Sequence, residues 1–269
     1  MPPHPSLAGR TAIVTGGSRG LGRAMVLGLA QAGAQVAIVA RGASKPLEET
    51  LAQAKALGVR ARVISALGDL REPSICEKIA IDVLAAFGRI DVLVNNAGVP
   101  NVGPGAPFWQ VGADQWQRIS HTNTDGVFFI TRAVAPWMIA QKFGKIINVS
   151  TSDRTMVRKN FSPYGPSKAF LEAASRVWAQ DLSGTGVTLN VLLPGGVVDT
   201  AADVSGVATQ GRTFLPASVM VPPLLWLASD ESNAHSGERF VASKWDESLP
   251  LAWRIEAARE SGAEAPRIM

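Results

Sequence analysis

Thr11-Ala-Ile-Val-Thr15-Gly16-Gly17-Ser18-Arg19-Gly20-Leu21-Gly22 is the stretch that decides the fold. Its first five residues are a short β-branched run suited to a buried strand. Glycines follow directly at G-x-x-x-G-x-G spacing, and residues 23–31 are apolar and alanine-rich, reading as a helix closed by Gly33. Strand, glycine turn and helix in that order give the glycines a purpose. They let the backbone turn tightly, approach a pyrophosphate and pack the helix on the sheet, while the helix N-terminus holds the phosphates. The spacing departs from G-x-G-x-x-G, so an ordinary strand-to-helix loop is the competing reading.

A second strand, Gln35-Val-Ala-Ile-Val-Ala40, follows and ends at Arg41. An acidic residue at this strand end suits the 2′-hydroxyl of NAD, whereas an arginine suits the 2′-phosphate of NADP. Ala40 and Arg41 supply no carboxylate, and Arg19 adds a second guanidinium from the glycine loop. Two guanidinium groups match a phosphate dianion through charge-assisted, often bidentate hydrogen bonds. NADP is therefore favoured over NAD, against the plainer possibility that both arginines are solvated charges.

Working outward, helices and strands alternate along the rest of the chain. Helices are expected at 46–57, 73–87, 116–141 (bent near Pro136), 164–182 and 222–229, with a final helical stretch at 251–260. Strands are expected at 60–65, 91–95, 145–149, 188–193 and 239–242. Ser162 and Pro163 are placed to cap and begin the 164–182 helix. Such alternation implies an α/β fold: a three-layer, doubly wound parallel sheet of Rossmann type, one domain over residues 1–269. Right-handed crossovers then bring the ligand-facing loops to the carboxyl ends of the strands.

Tyr164-Gly-Pro-Ser-Lys168 is the candidate for chemistry. Residues four apart share one face of a helix, so the lysine ammonium can lie near the phenol. A free phenol has a pKa of about 10. A neighbouring cation favours the phenolate, so Tyr164 is expected to exchange a proton near neutral pH. Ser150-Thr151-Ser152 precedes it by twelve to fourteen positions and offers hydroxyls to a substrate oxygen.

These motifs, taken together, resemble the short-chain dehydrogenase/reductase family, in its single-domain branch. The matches run in order along almost the whole chain: Thr15-Gly-Gly-Ser-Arg-Gly-Leu-Gly22, Asp69-Leu70, Asn95-Asn-Ala-Gly98, Asn123, Tyr164 with Lys168, and Pro194-Gly195. The resemblance implies a carbonyl/alcohol oxidoreductase whose dinucleotide is held by Gly16, Ser18, Arg19, Gly20, Leu21, Gly22, Arg41, Asp69, Leu70, Asn95, Ala97, Gly98, Tyr164 and Lys168. It gives Asp69 an adenine contact and has Asn95 to Gly98 stabilise the sheet beside the cofactor. It makes Asn123, Thr151, Tyr164 and Lys168 the catalytic set, with Asn123 holding a water that relays protons from the lysine. Two departures stand out. The family's serine, thirteen residues before the tyrosine, is here Thr151, and Ser152 (or Ser150) is the alternative if the loop is shifted. Pro194-Gly-Gly-Val-Val-Asp-Thr200 carries one residue more than the family's P-G-x-x-x-T, so Pro194, Gly195, Val198 and Thr200 are the expected but less regular nicotinamide contacts.

Composition bounds the rest. At 269 residues and 46% hydrophobic, the chain can bury one large core. The single Cys76 excludes an internal disulfide and suits a reducing cytoplasm. No segment reads as a signal peptide or membrane span. Twenty-six basic against 22 acidic side chains, without a basic stripe, do not point to nucleic acid. His121 and His235 lack companions at metal spacing, so no metal site is expected. Residues 201–216 are placed to form a substrate lid, and 243–269 are a tail without an assigned role. Phe128, Phe129, Trp137, Phe170 and Trp178 exceed what one buried helix face needs, and the resemblance implies a two-fold dimer or tetramer built on those helices.

Overall fold

The computed structural model describes residues 4–101, 103, 105–199 and 214–260. Thr200, residues 201–213 of the expected lid and residues 261–269 of the tail lie outside the described residues.

The strands are β1 (Thr11–Thr15), β2 (Gln35–Ala40), β3 (Val63–Leu67), β4 (Val92–Asn95), β5 (Gly144–Val149), β6 (Val187–Leu193), β7 (Val198–Asp199), β8 (Leu215–Pro216), β9 (Arg239–Val241) and β10 (Arg259–Glu260). The helices are α1 (Gly20–Gln31), α2 (Lys45–Ala56), α3 (Pro73–Phe87), α4 (Ala113–Ser120), α5 (Gly126–Ala140), α6 (Asp153–Met156), α7 (Tyr164–Asp181), α8 (Val221–Leu227) and α9 (Leu251–Ala258). Eight strands form one sheet in the order β10-β9-β6-β5-β4-β1-β2-β3, and β7 pairs with β8 apart from it. All neighbours in the large sheet are parallel except β10 on β9. The order reverses between β1 and β4, so their carboxyl ends open a crevice at the switch point.

Both faces of the sheet are covered, which is why β1, β4, β5 and β6 are buried along their whole length. On one face Met25, Val26 and Leu29 of α1 pack with Leu224, Leu225 and Trp226 of α8. On the other, Cys76, Ile79 and Val83 of α3 pack with Ile130, Val134 and Met138 of α5. Burial pushes the Cys76 thiol up to about 12, so it is a packing group and not a nucleophile at neutral pH.

Four details differ from the sequence reading. β3 begins at Val63 rather than at residue 60, because Gln35 Oε1 accepts the Arg62 N–H and pairing with β2 starts at Val36↔Val63. The expected 116–141 helix is two helices, α4 and α5, joined by a π-helical turn at His121–Asp125. α7 begins at Tyr164 with Pro163 as its N-cap and without a side-chain cap, so Ser162 does not play that part. The final helix stops at Ala258, and Arg259–Glu260 form the antiparallel edge strand β10. Among the described residues no helix is long and apolar enough to cross a membrane.

Candidate active site

Tyr164 occupies the first position of α7, at the carboxyl end of the sheet. Gly165 beside it explains how the helix head fits there. A Cβ on Gly165 would lie 2.3 Å from the Met156 carbonyl oxygen and 2.9 Å from that of Thr155, so only glycine lets α6 sit on α7. The Phe161 ring meets the Tyr164 ring edge-on, with centroids 6.0 Å apart.

One turn along, Lys168 is buried, and its Nζ donates to the Val149 carbonyl at 2.8 Å. Burial brings the ammonium down to about 8, with Glu172 opposing the shift. Burial also pushes the Tyr164 phenol above its ordinary value. This corrects the expectation that Lys168 lowers the phenol: desolvation of the ring dominates, and the phenol is protonated at neutral pH.

Asn123 is fully buried in the π-helical turn, a form often found at functional sites. Its Oδ1 accepts from the Val99 N–H at 2.8 Å, and its Nδ2 donates to the Val99 carbonyl at 3.1 Å and to Ser167 Oγ at 3.0 Å. Asn123 and Lys168 converge on Gly98. A Cβ built there would lie 3.5 Å from Asn123 Oδ1 and 3.7 Å from Lys168 Nζ.

The three hydroxyls separate by partner. Ser150 is buried and donates to Glu172 Oε1 at 2.6 Å. Ser152 is exposed and shares a hydrogen bond with Thr155 Oγ1 at 3.0 Å. Thr151 lies between them, half-buried, and its hydroxyl makes no hydrogen bond among the described residues.

At the crevice, the glycine loop is fastened to the turn after β4. Thr15 Oγ1 accepts the N–H groups of Asn96 and Ala97, and Asn96 Nδ2 donates to the carbonyls of Thr15 and Gly16. Gly16 has φ +65°, and a Cβ on Gly22 would fall 2.2 Å from the Gly16 carbonyl oxygen, so the loop closes against the start of α1 only with glycines. Ser18 and Arg19 lead into α1, whose first positions are Gly20, Leu21 and Gly22. Arg19 and Arg41 are exposed at the same end, and neither forms an ion pair among the described residues. Arg23 instead fastens α1 to α2 through Thr50, the Pro46 carbonyl and Glu49.

Asp69 holds the guanidinium of Arg71 through both carboxylate oxygens, the shortest contact being 2.6 Å. That hydrogen bonding keeps its carboxyl below the ordinary range. Any adenine contact must therefore share this carboxylate with Arg71. Leu70 is buried next to Gly126 of α5. Asn95 Nδ2 donates to Asn148 Oδ1 and Thr131 Oγ1, bracing β4 to β5 and α5. Across the site, Pro194 accepts the Ser243 N–H, Gly195 has φ +85°, and Val198 lies in β7.

The structure thus gathers Asn123, Thr151, Tyr164 and Lys168 around the carboxyl ends of β4 and β5, with the glycine loop adjoining. Sequence reading passed over Thr15, Gly165, Ser167, Glu172 and Arg239. Thr15, inside the glycine motif, and Gly165 and Ser167, inside the tyrosine motif, carried a local signal, whereas Glu172 and Arg239 carried none.

A family model for short chain dehydrogenases matches residues 10–210. A short-chain type dehydrogenase/reductase of Picea abies is 34% identical, over 84% of this chain and 88% of that protein. Among solved structures, a Sinorhizobium meliloti protein described as a short-chain alcohol dehydrogenase superposes with TM-score 0.80 at 30% identity, covering 89% of this chain and 97% of that one. A Beutenbergia cavernae protein described as an NAD(P)-dependent gluconate 5-dehydrogenase, with NADP bound at low occupancy, gives TM-score 0.78 at 30% identity, covering 88% and 96%. An NAD⁺-bound xylitol dehydrogenase gives TM-score 0.78 at 25% identity, covering 86% and 96%.

Proposed function

The chain belongs to the short-chain dehydrogenase family, and from that premise we propose that it is an NADP(H)-dependent oxidoreductase interconverting a carbonyl and a secondary alcohol, with Tyr164 as acid and base. The observation that carries this reading is the convergence of Asn123 and Lys168 on Gly98 below the head of the helix that begins with Tyr164. A pure dinucleotide binder has no need of a buried lysine and a phenol on one helix face.

The residues present fit a dinucleotide. Gly16 and Gly22 leave backbone bare where Cβ atoms would clash, and the N-terminus of α1 faces the crevice. Gly16, Ser18, Gly20, Leu21 and Gly22 would hold the pyrophosphate. Arg19 and Arg41 would hold a 2′-phosphate, and Lys168 the nicotinamide ribose. The turn at Asn95, Ala97 and Gly98, together with Pro194, Gly195 and Val198, would flank the nicotinamide. Asp69 and Leu70 would edge the adenine. When bound, the dinucleotide supplies the hydride or accepts it.

The protein's own part is protonic and geometric. In reduction, the neutral Tyr164 phenol donates its proton to the substrate oxygen, and the upward shift of its pKa keeps it in that form. Thr151 Oγ1 hydrogen-bonds the same oxygen. Lys168, with a pKa near the working pH, can return a proton to the phenolate. Asn123, which meets Lys168 across Gly98, would complete a route towards solvent by holding a water.

NAD use is the second reading, favoured by the NAD⁺-bound relative of similar fold. Incubation with NADPH or NADH and a panel of ketones, aldehydes and imines tests the proposal. Carbonyl reduction that prefers NADPH supports it, and binding without turnover of any member would identify a non-catalytic dinucleotide protein.

A further inference from the structure

Arg239 opens β9, a strand whose next two residues, Phe240 and Val241, are core. A guanidinium at such a position must find partners or carry a large desolvation cost. It finds four. Nε donates to Glu172 Oε1 at 3.1 Å, and Nη2 donates to the Thr151 carbonyl at 3.0 Å and to Asp153 Oδ1 at 2.8 Å. Nη1 pairs with Glu260, which lies opposite Arg239 in the β9–β10 ladder. Glu172 Oε1 also accepts the Ser150 hydroxyl at 2.6 Å. Ser150, Thr151 and Asp153 are thereby tied, one after another, to a single guanidinium–carboxylate pair.

Thr151 has its carbonyl fixed while its hydroxyl makes no hydrogen bond among the described residues. A β-branched side chain has few χ1 choices for a given backbone. Fixing its carbonyl, Ser150 before it and Asp153 two positions after it therefore narrows where Oγ1 points.

We propose that Arg239 is a positioning residue for Thr151, and that Glu172 and the β10 carboxylate Glu260 complete the clamp that holds the hydroxyl towards the substrate oxygen. The proposal rests on the catalytic placement of Thr151 given above. Arg239 touches no reacting atom and acts through the loop.

Replacing Arg239 alone strips the buried Glu172 of its guanidinium partner, which can unfold a protein. The test therefore compares Arg239→Lys, which keeps the charge but not the planar fork, with the charge-balanced pair Arg239→Met/Glu172→Gln. Two readouts are taken on variants that unfold cooperatively. The first is amide exchange at Thr155, Met156 and Val157, whose N–H groups close α6 onto Ser152 and Asp153. Exchange should rise at least about tenfold in the balanced pair, while amides in the middle of α7 keep wild-type protection. The second is kcat with saturating NADPH, measured with Thr151 present and in a Thr151→Ala background. The balanced pair should lower kcat about tenfold or more when Thr151 is present and less than about threefold when it is absent, because residues acting through one another are non-additive. Arg239→Lys should recover less than half of the lost rate.

Unchanged exchange at α6 overturns the proposal whatever the activity. Equal rate losses in the two backgrounds also overturn it, since they describe a structural residue indifferent to Thr151. If wild type reduces no carbonyl compound while exchange responds as stated, the proposed function falls and the anchoring of the Thr151 loop by Arg239 stands.

Discussion

Lys168 Nζ donates to the carbonyl of Val149 at 2.8 Å, so the buried ammonium beneath Tyr164 is held by the last residue of the strand that leads to Thr151. One hydrogen bond joins the helix that carries the phenol to the loop that carries the hydroxyl.

That burial has a pH signature. Lys168 titrates at about 8 in the folded protein against 10.5 ordinarily. Between these values the unfolded chain holds more protons than the folded one, so this group adds stability as pH rises from 8 to 10.5. Below pH 8 its burial penalty is fully present. Urea unfolding of wild type and Lys168→Met across pH 7 to 10.5 should show wild type gaining on the variant by up to about 3 kcal/mol. Parallel curves for the two proteins would mean the ammonium is not desolvated.

Gly165→Ala should be harmful although alanine favours helices. The added methyl meets the Met156 carbonyl oxygen at 2.3 Å and must push α6 away from Tyr164. A loss of about 1–3 kcal/mol in urea unfolding, typical of overpacking, should accompany a marked fall in turnover. A variant as stable and active as wild type would show that the two helices are not in register contact.

The parts of this design that are local in sequence were legible in it. β1 and β2 are unbroken β-branched or apolar runs beside a glycine turn, and Tyr164 and Lys168 announce themselves by spacing. The clamp on Thr151 was not legible, because Arg239 reaches it across 88 positions and nothing near Arg239 names its partner. The choice among Ser150, Thr151 and Ser152 depends likewise on Glu172, 22 positions from Ser150. The π-helical turn at Asn123, whose side chain is bonded to the Val99 backbone, interrupts a helical periodicity that gives no sign of it. The direction of the Tyr164 shift was misjudged because a sequence shows the neighbouring lysine but not the burial of the ring. β10 is only two residues long and continues a helical pattern, so its pairing with β9 was invisible.

Cofactor choice should follow Arg19 and Arg41. Losing a charge-assisted contact costs about 1.5–3 kcal/mol, or roughly ten- to more than a hundredfold in affinity. Ala40→Asp with Arg41→Ser should therefore weaken NADPH by at least tenfold while leaving NADH equal or tighter. Paired dissociation constants decide the matter, and a wild type that binds both equally would leave the two arginines as surface charges.

Association should proceed through α5 and α7. Phe129 and Trp178 pack against the core, whereas Phe128, Trp137 and Phe170 remain 42–46% exposed. We propose that these three side chains are covered by a second copy across a two-fold axis. Light scattering at micromolar concentration should give at least twice the 28.3 kDa chain mass, and Trp137→Glu with Phe170→Glu should reduce it to one chain. A monomeric wild type would contradict this assembly.

The most direct measurement is Tyr164→Phe, assayed for NADPH binding and for turnover of the best substrate in the carbonyl panel. The ring packing against Phe161 is kept and only the hydroxyl is lost. The dissociation constant for NADPH should stay within about twofold, and kcat should fall at least about a hundredfold, the lower end of general acid–base contributions. Turnover near the wild-type rate in this variant would contradict the account, because the proton would then come from another group.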